Sequence, residues 1–509
     1  MWQPHRRQRT RLDPDVLSLL LRFGEGSTVA DAAGAAGIEV DATVDEAIAM
    51  LERAELLVPV LVRLETPAPA AYARIAELVD RDSFVALGSD PIATGFARIA
   101  DREVAIAAWE PDATSGIAAV LALQAEALDR RCPVIYVLDR FSIGHTTTDF
   151  LGRDSIGRVY ANQARLSGVV PQIAIVCGAL WRPAALLPVG CDAVIFVAEH
   201  GTVSIGDVGI VKELTGEDVT EQELGGARMH AEHSGLAHLV ARSTADAAAL
   251  CRRYLSFTTG PVPGRASTAL TAAEVDALVP DDADRPFPID QLVRAIADDG
   301  SLLELRAGYA RELSTTFARL DGTAIGVIAN CSQHKAGLIT VEAADKAARF
   351  IALCGAYGLP IVFLVDVLGL AIGRAAERAG IERAAGRLFS AIANTPSTKL
   401  TLVVRKAHTA GFFAMAGPAF DPEAFLALST ASIAILSERS SVPGIAALER
   451  ILDPVARESV RGYVRSHRPP PELATPEVVR ASEARTSLIA HLRARPPSIE
   501  PRPRVIIPS

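Results

Sequence analysis

Among 509 residues there are six cysteines, and no two of them stand as a CxxC pair. Most lie inside apolar runs, which argues against a secreted disulfide framework and points to reduced core thiols in a cytoplasmic protein. Aromatic residues make up only 5% of the chain, so Ala, Val, Leu and Ile must fill its cores. No uninterrupted apolar run approaches the roughly 20 residues of a spanning helix. The basic opening MWQPHRRQRT is not followed by the apolar segment of a signal peptide. No membrane association is expected. Lys and Arg are dispersed and the net charge is −9, which argues against a nucleic-acid partner. A glycine-rich phosphate loop ending in Lys-Ser/Thr is missing, so ATP use is not expected.

Half of the residues are apolar, enough for large cores in about two to four domains. Residues 1–64 stand apart. Asp13-Pro14, Ser27 and Asp41 are each placed to start a helix, and residues 56–60 close as a strand. This small, mainly helical, winged-helix-like unit is open to three readings: protein docking, DNA binding or a structural appendage. ETPAPAA (65–71) reads as a linker. From residue 72 short strands alternate with longer amphipathic helices, the signature of α/β layers.

An internal repeat then organises the chain. GFARIAD (95–101) followed by REVAIAAW recurs as TFARLDG (316–322) followed by TAIGVIAN. CPVIYVLD (132–139) recurs as LPIVFLVD (359–366), and PQIAIVCGALWRPAALL (171–187) as LTLVVRKAHTAGFFAMAG (400–417). CDAVIFV (191–197) is matched with TASIAIL (430–436). The expected units are therefore an N-terminal half, 72–262, a Pro- and Asp-rich linker, 263–287, a C-terminal half, 288–468, and a tail, 469–509. In the tail a helix over 476–495 precedes an end expected to be mobile.

In the stretch 400–417, LTLVV is a buried strand by pattern, the following residues turn at Thr409-Ala410-Gly411, and a small-residue helix begins at Phe412. A turn of small residues between strand and helix presents backbone N–H groups that can hold an oxyanion. The same pattern fits an ordinary connection in a packed α/β core.

Several motifs together resemble a known family, the carboxyltransferase (β) subunits of biotin-dependent acyl-CoA carboxylases. They are SGVVPQI (167–173), LTGEDV (214–219) with ELGGAR (223–228), KAARF (346–350) with DVLG (366–369), and RKA (405–407). The resemblance spans about residues 75–465. It implies an α/β fold of two tandem crotonase-like domains, each a β-β-α superhelix. It also implies a homo-oligomer, from dimer to hexamer, with active sites between subunits. The substrate would be a coenzyme A thioester, and biotin would arrive on a separate carrier protein rather than bound covalently. This chain has no AMKM-type lysine motif of its own. An acyl carrier protein is the alternative partner.

Carried over residue by residue, the resemblance assigns catalysis to Thr409, Ala410 and Gly411 in the C-half, and to Arg182 and Ala184 in the N-half. It assigns the substrate pocket to Phe413, His408, Gly369, Trp181, Pro183 and Phe141. The sequence departs from the family at several of these. Arg182-Pro183 occupies the place of a glycine pair, and proline lacks an N–H; losing one oxyanion donor typically costs about 100- to 1000-fold in turnover. Arg182 could offer a guanidinium to an anion instead, or pair with an acidic neighbour. Arg140-Phe141-Ser142 replaces a glycine-rich loop that lines the CoA site, and Leu368 and Ile372 replace prolines. His408 replaces an aromatic residue and reads either as an acid or base or as a hydrogen-bonded core histidine. His230, His233 and His238 suggest a metal cluster at first sight, but two of them fall where the family carries histidine without metal, so no metal is expected. The function that follows is carboxyl transfer on an acyl thioester through an enolate held by backbone N–H groups. The alternatives are a repurposed decarboxylase or acyl transferase of secondary metabolism, and an inactive scaffold subunit of a heteromeric carboxylase.

Overall fold

The computed structural model describes residues 70–88, 92–111, 113, 114, 116–142, 151–266, 270–434 and 476–494. The expected N-terminal domain, 1–64, lies outside them. The chain folds as the same sheet twice. In the first sheet, β1 (Val85–Gly88), β2 (Ile92–Ile99), β3 (Arg102–Trp109), β4 (Val134–Leu138), β5 (Gln172–Val176), β6 (Ala193–Val197) and β7 (Leu239–Ala241) lie side by side in chain order. The second repeats this with β8 (Leu303–Leu305), β9 (Leu313–Leu320), β10 (Thr323–Asn330), β11 (Ile361–Val367), β12 (Lys399–His408), β13 (Ala424–Leu428) and β14 (Glu477–Val479). In each sheet the first three strands are antiparallel and the rest parallel. Asp101 and Asp321–Gly322 turn the two long hairpins with positive φ.

The central strands read as continuous apolar runs because both faces are covered. On the first sheet, Ile106, Ile135, Ile173 and Ile195 face the helices α1 (Ala70–Leu78) and α4 (Thr244–Ser256). Ala105, Val134, Ala174 and Phe196, one residue out of step, face α2 (Ile117–Arg130) and α3 (Ile156–Leu166). The second sheet places Val362, Leu364, Leu402 and Val404 against α5 (Ile289–Ile296) and α9 (Ala481–Ala494). Its other face, with Phe363, Val365 and Val403, packs α6 (Val341–Tyr357) and α7 (Ile381–Asn394). Those two helices join α1 and α4 in one continuous core, so the halves share a central layer. Aromatic contacts stitch it: Tyr254 meets Phe317 at 5.5 Å between ring centroids, and Phe317 meets Phe350 at 5.2 Å.

Three expectations need correction. The fourth repeat match was displaced by one element. β6 lies beside β5 as β13 lies beside β12, so CDAVIFV corresponds to PEAFLAL (422–428). The backbone agrees: Asp192 N–H bonds Gln172 O, and Glu423 N–H bonds Lys399 O, both at 2.8 Å. Ser432–Ala434 pairs instead with the outer end of β12, just as Thr202–Ser204 pairs with Ala179–Trp181. Two short apolar runs of equal length are indistinguishable until their neighbours are known.

The described part of the tail, 476–494, is also not separate. β14 adds to the second sheet beside β13, and α9 covers the core with Ala484, Leu488 and Leu492. The stretch expected to be all helix spends its first residues as this strand. Arg485 on α9 bonds Asp298 at 2.7 Å and the carbonyl of Arg265 at 2.9 Å. Nor is 263–287 a loose linker, since it carries the short helix Ala272–Asp276 and buries Val279 and Phe287 in the same core.

One polar chain crosses the shared layer. Tyr357 of the C-half donates to Asp192 of the N-half at 3.1 Å, and its hydroxyl lies 3.0 Å from that of Tyr254. Burial pushes the Asp192 carboxyl up to about 7, against the opposing pull of the Gln172 amide and the Tyr357 hydroxyl. A carboxyl whose pKa is raised on folding stabilises the fold at low pH, and that stability is lost as pH rises from about 4 through about 7. The unfolding free energy of the wild type from urea titrations should therefore fall between pH 5 and pH 8, by an amount on the order of 3 kcal/mol. Asp192→Asn should flatten that dependence; an unchanged pH profile in the variant would refute the assignment.

Candidate active site

The C-half site is built on one buried ion pair. Arg405 and Asp366 stand on neighbouring strands, both side chains fully buried, with Nη2 2.6 Å from Oδ2. Such a pair persists only when its remaining donors and acceptors are filled. Arg405 also donates to Ser332 Oγ at 3.2 Å and to the carbonyls of Asp282 and Arg285 at 3.1 and 2.6 Å. Its guanidinium lies 4.5 Å from the ring centroid of Phe287. The second Asp366 oxygen takes the backbone N–H of Lys406 at 3.3 Å, and Lys406 Nζ lies 3.4 Å away. This cluster makes β12 continue to His408, four residues beyond the expected end of the strand.

Past His408 the chain reverses. Thr409 adopts φ 53°, a conformation that costs a non-glycine residue about 1–2 kcal/mol. It opens the six-residue helix α8 (Thr409–Ala414). Being first-turn residues, Thr409, Ala410 and Gly411 have no intrahelical acceptor for their N–H groups. Gly369 comes from the neighbouring loop after β11 and lies against this turn. A Cβ on Gly411 would stand 2.7 Å from Gly369 Cα and 2.8 Å from a Val367 methyl. A Cβ on Gly369 would stand 2.7 Å from Thr409 Oγ1. The structure thus brings Gly369, Thr409, Ala410 and Gly411 together. Phe413 follows them on α8 and is 48% exposed, so its ring is not a core filler, while Phe412 packs on Phe425 at 5.8 Å.

His408 does not join them. Along β12 it shares a face with Val404, which belongs to the core under α5 and α9, whereas α8 inserts Ala414 into the core on the opposite side. His408 Nε2 lies 3.2 Å from Ser432 Oγ. Burial, and then the Lys406 ammonium, hold its pKa below the ordinary histidine value, so the ring is neutral at pH 7. The ring is buried and bonded through Nε2, while Nδ1 has no hydrogen-bond partner among the described residues.

In the N-half, Trp181, Arg182, Pro183 and Ala184 are contiguous, with a 3₁₀ turn over Arg182–Leu186. Arg182 has φ 58°. Its N–H is committed to Ile205 O at 3.0 Å, and Pro183 has none to offer. Ala184 is buried, and Pro183 O accepts from Tyr160. The Arg182 guanidinium pairs with Asp207 at 2.8 Å, both side chains partly exposed. Asp207 also caps the helix Val208–Thr215 through the Ile210 N–H. Those two contacts, the capping amide first, hold its pKa below the ordinary value. Phe141, expected in the pocket, is instead core: it is buried and stacks on Trp109 at 4.9 Å. His230 and His238 are spent on the backbone, His230 Nε2 against Val203 O at 2.7 Å and His238 Nδ1 receiving the Val194 N–H at 3.1 Å.

Sequence reasoning missed Asp207, whose only local signal is that of a helix cap. It also missed a cleft of about 430 Å³ between the halves, lined in part by Tyr309, Arg311, His334 and Lys335. Nothing in the sequence marks residues that meet only when two halves dock.

Two outcomes follow. Asp366→Asn, which leaves the Arg405 charge uncompensated, should lower unfolding stability by about 3–5 kcal/mol in urea titrations. Gly411→Ala has no room for its methyl beside Gly369, so crystals of the variant should show the turn displaced. An unmoved turn would show the approach to be looser than described.

Comparison with known proteins bears on the fold and the family. The carboxyl transferase domain model matches residues 117–447. An uncharacterized carboxylase of Bacillus subtilis, YngE, is 32% identical over 433 residues, covering 80% of this chain and 84% of its own. The biotin-dependent acetyl-/propionyl-coenzyme A carboxylase β5 subunit of Mycobacterium tuberculosis is 31% identical over 415 residues, covering 73% of this chain and 74% of its own. Among solved structures, the hexameric transcarboxylase 12S with methylmalonyl-coenzyme A and methylmalonic acid bound superimposes with a TM-score of 0.77 at 28% identity. It covers 85% of this chain and 91% of its own. With the duplicated sheet and the motifs on its loops, these matches show that the chain belongs to the carboxyl transferase family, which includes the β subunits of biotin-dependent acyl-CoA carboxylases.

Proposed function

We propose that this protein transfers a carboxyl group between biotin on a separate carrier protein and the α-carbon of an acyl-CoA. The observation that carries this reading is the C-half turn, where Gly369 and the Thr409–Gly411 backbone meet above the buried Arg405–Asp366 pair. N–H groups fixed there, before any ligand arrives, can hold an oxyanion without reorganising during the reaction. Removing the carboxyl group from the acyl-CoA leaves an enolate, and adding it to the ureido nitrogen of biotin needs the ureido oxygen polarised. Each step develops charge on an oxygen that such a turn accommodates. Phe413, at the exposed edge of α8, is placed to limit acyl size. Relatives of this kind include a hexamer and biotin-dependent β subunits, which supports an oligomer and a biotin carrier partner.

A second reading has its own observation. The N-half turn has no free N–H at Arg182 or Pro183, which favours a subunit that supports a glycine-intact homologue rather than one with two working turns.

The test is to mix the purified oligomer with methylmalonyl-CoA and a biotinylated carrier protein, and to follow propionyl-CoA and carboxybiotin by mass spectrometry. Carrier-dependent formation of both products is expected, falling about 100- to 1000-fold in Gly411→Ala. Propionyl-CoA appearing without the carrier would make the protein a decarboxylase. No turnover alone, but turnover restored by a co-expressed homologue, would establish the supporting role.

A further inference from the structure

Resting on the reading that this chain handles acyl thioesters, we propose that Arg182 recognises a carboxylate on the acyl group. The N-half site would then take malonyl-type thioesters in preference to neutral ones. The argument begins with the backbone. Arginine at φ 58° opens a 3₁₀ turn, a position that glycine would occupy without strain. Strain of this kind collects where a side chain is held for a purpose. Here two of the donors with which a backbone could hold an anion are gone, because the Arg182 N–H bonds Ile205 O and Pro183 carries none, which leaves the Ala184 N–H. The side chain at the same residue restores positive charge.

That guanidinium is half-exposed and only partly engaged. Of its five N–H donors, Nη2 bonds Asp207 Oδ2 at 2.8 Å. The other Asp207 oxygen is occupied by the Ile210 N–H at 3.1 Å, which keeps the carboxylate in place as a fixed counter-ion. A partly exposed ion pair of this sort contributes little to stability, so its geometry is free to open. An incoming carboxylate can take the remaining donors as a two-point contact.

The surroundings suit an acyl chain that ends in a charge. Ile205, whose carbonyl holds the Arg182 amide, is 70% exposed, and Leu186 on the same turn is 43% exposed. Trp181, partly exposed, ends the short strand directly before Arg182. A neutral acyl group would leave that cation paired with Asp207 and gain only contact with the exposed apolar side chains. A carboxylated one gains both.

The experiment measures binding to the full-length oligomer by calorimetry, with methylmalonyl-CoA and propionyl-CoA as paired probes. The two share every CoA phosphate, so their difference reports the acyl carboxylate. Wild type should bind methylmalonyl-CoA at least tenfold more tightly. Arg182→Gln should weaken it by roughly 10- to 100-fold while leaving propionyl-CoA unchanged, and Arg182→Lys should retain part of the preference. Arg182→Gly, which also relieves the positive φ, guards against a folding artefact and should behave as Arg182→Gln does. Asp207→Asn keeps the helix cap but frees the guanidinium, and should tighten methylmalonyl-CoA. Equal wild-type affinity for the two probes, or equal losses for both in Arg182→Gln, would overturn the assignment and leave the thioester reading intact. Wild type that binds neither probe would overturn both.

Discussion

The salt bridge between Arg405 and Asp366 is the constraint from which the C-half site follows. Two opposite charges without solvent are tolerable only if nearly every remaining donor and acceptor is filled, and here the filling comes from far apart in the chain. Ser332 follows β10, Asp366 lies on β11, Arg405 and Lys406 lie on β12, and the carbonyls of 282 and 285 belong to the segment between the halves. The pair therefore fixes three strand ends and the interdomain segment at once. The loop carrying Gly369 and the turn carrying Gly411 leave from those strand ends, and their close approach is a consequence.

Duplication makes the two halves a natural control for each other. The same strand order, hairpins and parallel pairings recur, and the third parallel connection turns sharply in both halves with a positive φ, at Arg182 and at Thr409. What differs is what the turn offers. In the C-half, small residues leave backbone N–H groups beside a glycine. In the N-half, proline and a committed amide remove two of them, and a charged side chain stands beside what is left. A fold that places two turns alike can thus present neutral dipoles at one and a full charge at the other.

Much of this was legible before any coordinates. Strand runs were recognisable because burial on both faces demands continuous β-branched and aliphatic residues, and the repeat was recognisable because both halves satisfy the same demand. Gly369 and Gly411 could be singled out by motif. The misreadings have a common cause. TASIAIL and PEAFLAL are both short, largely apolar runs, and the strand each lies against is not written in either. β14 and α9 resembled a detached tail because their partners, β13 and the helix Ala272–Asp276, are remote in sequence. Phe141 and His408 sat at motif positions, yet one stacks on Trp109 and the other reaches Ser432 on the far side of β12.

The sequence by itself determined the class of fold, its doubling, the family, and the places where N–H groups are missing, because each depends on residue type and local period. Tertiary structure decided which groups meet: Arg182 with Asp207, Tyr357 with Asp192, Gly411 with Gly369. Those contacts join residues from about 25 to 165 positions apart. They depend on register and on which face of a strand each side chain occupies, which pairing between distant segments sets and local pattern does not.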